Sequence, residues 1–181
     1  MVALVATSLA EAAAPRAGAA PRPVSRVVLA GNGIDGTRFG QGTRVVVAEL
    51  DRALGRPVPP VERNEAGNCT VDAAVRWPEL KVYFFHGHFV GYSTLSPGGR
   101  LATEPDIATT RGLRVGDTLA KARAIYGGAL RTSAAQGGSW SATTPEGAVK
   151  GYLTGEATRT GPMPRVLSTG AGAVGCPAAS P

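Results

Sequence analysis

One five-residue pattern occurs twice in the chain, and its recurrence limits the possible folds more than any other feature. Gly36-Thr37-Arg38-Phe39-Gly40 and Gly112-Leu113-Arg114-Val115-Gly116 both read Gly-x-Arg-apolar-Gly. Each leads into a short stretch of helical periodicity that stops at glycine. In the first, Val45, Val46, Leu50, Ala53 and Leu54 recur near helical spacing, with Thr43 as the expected N-cap and Gly55 as the stop. In the second, Thr118–Tyr126 presents Leu119, Ala122, Ile125 and Tyr126, and Gly127-Gly128 ends it. A second landmark follows in the same order, Gly87-x-x-x-Gly91-Tyr92 against Gly147-x-x-x-Gly151-Tyr152. Two matched landmarks predict two copies of one small unit of strand, loop, helix and hairpin. One helix over two or three strands buries too little to stand alone, so the units are expected to share a core. The expected class is α+β, with helices on one side of a shared antiparallel sheet. The expected boundaries are residues 24–103 and 104–181, packed as one domain behind a leader at 1–23.

Strand signals fill the rest of each unit. Val24–Ala30 is a short β-branched run, and Leu80–Phe85 is the strongest strand in the chain. His86-Gly87 turns it into Phe89–Leu95, and Leu101–Thr103 begins another strand beyond the turn Ser96–Gly99. Cys69–Val75, Trp140–Thr144, Ala148–Leu153 and Val166–Thr169 read as further short strands. Arg56–Asn68, with Pro57, Pro59, Pro60 and Gly67, reads as a loop. Gly31-x-Gly33-x-x-Gly36 follows a strand and is formally a dinucleotide fingerprint. That chemistry needs helix N–H groups at the pyrophosphate, and here Gly40 and Gly42 delay the helix to Thr43. These glycines are read as a turn, and no cofactor is expected.

Aromatic placement is the main functional signal. Of ten aromatic residues, five lie between Tyr83 and Tyr92. With His86-Gly87 as a two-residue turn, Phe84 pairs with Phe89 and Tyr83 with Val90. One face then carries Leu80, Val82, Phe84 and Phe89, a core face. The other carries Lys81, Tyr83, Phe85, His88, Val90 and Tyr92, which is unusually apolar for a solvated surface. Either the fold covers it, or Tyr83, Phe85, His88 and Tyr92 form a binding surface.

Catalytic alternatives have less to stand on. His86 and His88 are the only histidines, no Gly-x-Ser-x-Gly is present, and two histidines without a third ligand at set spacing are not a metal site. The formal charge of +6 comes mostly from scattered arginines, with no basic run and no basic patch interleaved with aromatics, so nucleic acid is not an expected partner. No apolar run approaches the ~20 residues of a membrane span. Met1–Ala10 is short and apolar, and Ala10-Glu11-Ala12-Ala13-Ala14 follows it. That pattern reads as a truncated export signal ahead of a Pro- and Ala-rich leader, which points to secretion or the cell envelope. The only two cysteines, Cys69 and Cys176, fit one disulfide in an oxidising compartment or two separately buried thiols. A bond closing a loop of that length contributes up to ~4.7 kcal/mol in the chain-entropy picture.

The tandem arrangement of Gly-x-Arg-apolar-Gly, short helix and aromatic-rich hairpin resembles the repeat of the beta-lactamase inhibitory proteins. It also resembles the small outer-membrane assembly lipoproteins that share their fold. Exported proteins of high-G+C bacteria with two such repeats end in a Gly-Cys like Gly175-Cys176. The resemblance spans roughly Val27 to Cys176. It implies a partner-binding concave sheet face, although the inhibitors tend to hold a disulfide in each repeat and this chain has one cysteine per half. The expectation is a secreted, non-enzymatic, protein-binding or inhibitor-like module whose partner is an extracellular or envelope protein. The rivals are a small envelope hydrolase and an envelope structural protein that holds anionic wall polymer through its arginines.

Overall fold

A computed structural model describes residues 27–63, 71–94, 107–134, 137–156 and 162–174. The fold is mixed α+β and mostly β. In chain order the elements are β1 (Val27–Ala30), β2 (Gly33–Ile34), β3 (Thr37–Arg38), α1 (Thr43–Leu54), β4 (Val58–Arg63), β5 (Ala73–Arg76), β6 (Leu80–Phe85) and β7 (His88–Thr94). Then come β8 (Ile107–Thr109), α2 (Leu119–Tyr126), β9 (Leu130–Ser133), β10 (Ser139–Thr144), β11 (Gly147–Tyr152) and β12 (Gly170–Gly172). An eight-stranded antiparallel sheet runs β4-β5-β6-β7-β12-β11-β10-β9. A smaller sheet runs β3-β2-β1-β8, with β1 and β8 parallel.

The two Gly-x-Arg-apolar-Gly segments have matching backbones. Gly36 and Gly40 have φ of 83° and 91°, and Gly112 and Gly116 have the same two values. This left-handed region is costly for any residue with a Cβ, which explains why glycine brackets both motifs. The hydrogen bonds also match. The Arg38 N–H donates to Gln41 Oε1 at 2.7 Å and the Arg114 N–H to Asp117 Oδ2 at 2.8 Å. Gly40 N–H reaches the Phe89 carbonyl and Gly116 N–H the Val166 carbonyl, both at 2.8 Å. In return, Phe89 N–H donates to Gln41 and Val166 N–H to Asp117, again at 2.8 Å. The first motif therefore ends by pairing with β7 and the second by pairing with the bridge segment at Arg165–Val166, and each then turns into a helix.

Those bonds revise the second landmark. The second motif pairs with the stretch at Val166, and not with β11, which carries Gly147-x-x-x-Gly151-Tyr152. Gly91 and Gly151 share a different need. A Cβ on Gly91 would collide with the Ala173 carbonyl, and one on Gly151 with the Ser168 carbonyl. Glycine at both positions admits a crossing backbone and does not mark equivalent places in the sheet.

Each helix shares a buried cluster with residues of the large sheet. Val46 and Leu50 of α1 bury against Val75, Leu80, Val82, Phe84, Phe89 and Tyr92. Leu119, Ala122 and Tyr126 of α2 bury with Trp140, Ala142, Val149, Leu153 and Val166. Full burial of side chains of this size contributes about 1.5–3 kcal/mol each. Gly42, and not Thr43, is the N-cap of α1 and offers no side-chain bond, whereas Thr118 caps α2 by accepting the Lys121 N–H at 3.2 Å.

Other expectations need adjustment. The proline-rich stretch expected as a loop contains β4. Its prolines lack N–H donors, but β4 is an outermost strand and its register shifts between Val58 and Glu62, so the ladder tolerates them. β8 and β9 are three and four residues long, too short to show periodicity. The Gly31–Gly36 stretch is two turns with β2 between them. Cys69, Cys176, residues 1–23, the turn 96–99 and the strand expected at 101–103 lie outside the described residues.

Candidate ligand groove

The four aromatic-face residues do not share one open surface. A β-bulge is the cause: Tyr83 pairs with Gly91 and Phe84 with Phe89, which leaves Val90 as the extra residue. That residue shifts the side-chain alternation by one, so Tyr92 turns to the helix-covered face. Its ring is fully buried, and its hydroxyl donates to the Ala30 carbonyl at 2.8 Å, tying the large sheet to β1. Burial pushes the Tyr92 phenol pKa well up, so the hydroxyl remains a donor. Tyr83 does face away from the helices but is only 6 % exposed, clustered with Val71, Ala74, Val90, Ala173 and Val174. Its hydroxyl lies 3.0 Å from Ser93 Oγ. Phe85 is half-buried with its ring 3.9 Å from that of His86. His88 is exposed, and its Nδ1 lies 2.8 Å from the Gly40 carbonyl. The aromatic face of the first half is thus largely covered.

The same side of the sheet opens over the second half. Trp140, Ala142 and Val149 point to α2, so the alternate residues Ser139, Ser141, Lys150 and Tyr152 point outward. With Ser93, Arg131, Ser133, Ser168 and Val174 they line a groove of about 450 Å³. Ser168 joins its floor by accepting the Tyr152 N–H at 3.1 Å, while its carbonyl takes the Trp140 indole N–H at 3.2 Å. Tyr152 is 45 % exposed. Arg131 donates to the Gly128 and Leu130 carbonyls, which fixes its guanidinium at the groove edge.

Strand register reveals a charge pattern that no linear motif shows. Arg76 pairs with Lys81, Lys81 with Ser93, Ser93 with Gly170, Gly170 with Lys150, Lys150 with Ser141, and Ser141 with Arg131. Directly paired residues share a face. The row holds four cations, two serines and one glycine, crosses seven strands, and contains no acid. At roughly 4.8 Å per strand it is about 29 Å long. Lys81 Nζ lies 5.7 Å from the Tyr83 ring centroid, within cation–π range.

The groove has binding chemistry without an acid–base pair. Among the described residues, neither a carboxylate nor a histidine lines it. A second recess of about 510 Å³ is bounded by Thr43, Val61, Arg63, Ala73, Val75 and Phe84 together with Asp72. Asp72 Oδ2 there accepts the His86 N–H at 2.7 Å. No cluster of three or more His, Cys, Asp or Glu suited to a metal occurs among the described residues. No described helix is long and apolar enough to cross a membrane. Compared with protein-family models, with curated proteins and with solved structures, the chain matches none.

Proposed function

We propose that this is an exported, non-enzymatic binding module. It is built as two copies of a β-turn-α unit with a four-stranded meander, and its working surface is the outward face of β9 to β12. The matched φ angles and reciprocal hydrogen bonds of the two glycine motifs support the duplication, as does the mirrored strand order in which the last strands of both halves meet. The observation that carries the functional reading is the groove, with hydroxyls and cations open to solvent and neither carboxylate nor histidine among its described lining residues. The likeness to inhibitory proteins that bind through a concave sheet face points the same way. The working surface moves from the aromatic residues of the first half to the polar face of the second.

The test is retention on the envelope fraction and on culture-fluid components of the producing cells. Labelled Ser25–Pro181 is compared with Ser141→Trp, which fills the groove without touching the core, after circular dichroism has verified the fold. Retention by the parent and its loss in the variant is the expected result. Equal retention would place the surface elsewhere. Turnover in a hydrolase substrate screen that survives Ser141→Trp would overturn the non-enzymatic reading.

A further inference from the structure

We infer that the groove and its cationic row bind an acidic polysaccharide, a linear sugar chain carrying carboxylates laid across the strands. This rests on the reading that the outward face of the second half is the working surface. Three observations lead to it. First, Lys150 and Arg131 line the groove two strands apart on one paired row that contains no acid, and the row runs on across the sheet to Arg76, which suits a ligand with repeated negative charges. Two ends of that row, Arg76 and Arg131, lie about 29 Å apart, longer than a single small anion needs. Second, the floor between the cations is hydroxyl: Ser93, Ser139, Ser141 and Ser168 line the groove. Serine both donates and accepts, which matches sugar hydroxyls and is unnecessary for a bare polyanion. Third, Tyr152 is the one exposed large aromatic in the groove and gives a sugar ring an apolar plate. Sheet faces that bind single-stranded nucleic acid use several aromatics to stack successive bases. Tyr83 is covered and Tyr92 is in the core, so that platform is missing here.

Lys150 is exposed and sits over the middle of the groove, so its charge is the one to change. The probe is an oligogalacturonate of defined length, titrated calorimetrically against the full chain. Neutral dextran, polyphosphate and an oligothymidylate serve as comparators. Lys150→Glu is expected to weaken oligogalacturonate binding by about tenfold or more, as expected for loss of a charge-assisted contact, with Lys150→Gln intermediate. Arg44→Glu makes the same charge change on the exposed side of α1 and is expected to leave binding unchanged. Tyr152→Ala is expected to weaken binding while keeping its salt dependence. Equal affinity for polyphosphate, or indifference to Tyr152→Ala, would reduce the row to an ion exchanger and overturn the proposal. Tighter binding of the oligothymidylate would overturn it in favour of nucleic acid. Failure of oligogalacturonate to bind, with envelope retention still lost in Ser141→Trp, would reject the sugar and keep the groove. Failure of both would reject the groove as well.

Discussion

At position 92 the phenol joins the two sheets. The hydroxyl has one partner, the Ala30 carbonyl, and both residues are buried. Tyr92→Phe preserves the ring packed against Phe39 but leaves that carbonyl without its donor. Loss of one buried hydrogen bond costs about 0.5–1.5 kcal/mol, so urea denaturation should show a loss of that size. His88→Ala, at an exposed site, should cost less. If the two variants were equally stable, Tyr92 would not be the link the geometry makes it. Gly151 gives a steric prediction at the same scale. Its missing Cβ leaves room for the Ser168 carbonyl and the Trp140 indole nitrogen, so Gly151→Ala must displace a backbone. Overpacking of this kind costs about 1–3 kcal/mol, readable as a lowered Tm, and it should also distort the groove floor.

The two helices begin differently, and the difference is measurable. α2 has Thr118 as a side-chain cap, and Thr118→Ala should cost about 1 kcal/mol. α1 begins at Gly42, which is extended at φ −67° and ψ 143°, has open space where a Cβ would stand, and has no acid in its first turn. Gly42→Asp supplies a cap and a negative charge at the helix N-terminus, and stabilisation by about 0.5–1 kcal/mol is expected in thermal melts. Elements of this kind were largely legible in the sequence: both helices, their glycine stops and the β6–β7 hairpin follow from periodicity and turn chemistry. Strands of three or four residues were not, because they owe their pairing to neighbours distant in sequence. β8, for example, is a strand because Val27–Leu29 lies beside it. The candidate site was legible only in part. Tyr83 faces outward as alternation requires, but the single extra residue at Val90 reversed Tyr92, and no local pattern announces a bulge. The cationic row was invisible, since Arg76, Lys81, Arg131 and Lys150 meet only through strand register.

At the scale of the molecule the halves are joined by backbone pairing. β12 pairs with β7 at Gly170–Ser93, Ala171–Tyr92 and Gly172–Gly91, and β8 pairs with β1 in parallel. The core clusters meet along the segment that leads into β12: Val166 belongs to the second and Ala171, in β12, to the first. Separating the halves would strip the large sheet of its central pairing and the small sheet of its outermost strand, and uncover apolar surface on each side, so one half unfolding should carry the other with it. Trp77 and Trp140 report this, because each is buried in a different cluster and they are the only tryptophans in the chain. In Trp140→Phe the fluorescence follows the first half, and in Trp77→Phe it follows the second. Each substitution shifts stability by itself, so the comparison is made within one variant, between its fluorescence midpoint in urea and its far-ultraviolet circular dichroism midpoint. Coincident midpoints in both variants are expected for a single cooperative unit. A fluorescence midpoint that departs from the circular dichroism midpoint in either variant would mean the halves unfold separately. The groove beside the β7–β12 junction would then sit next to a flexible seam, not on a rigid sheet.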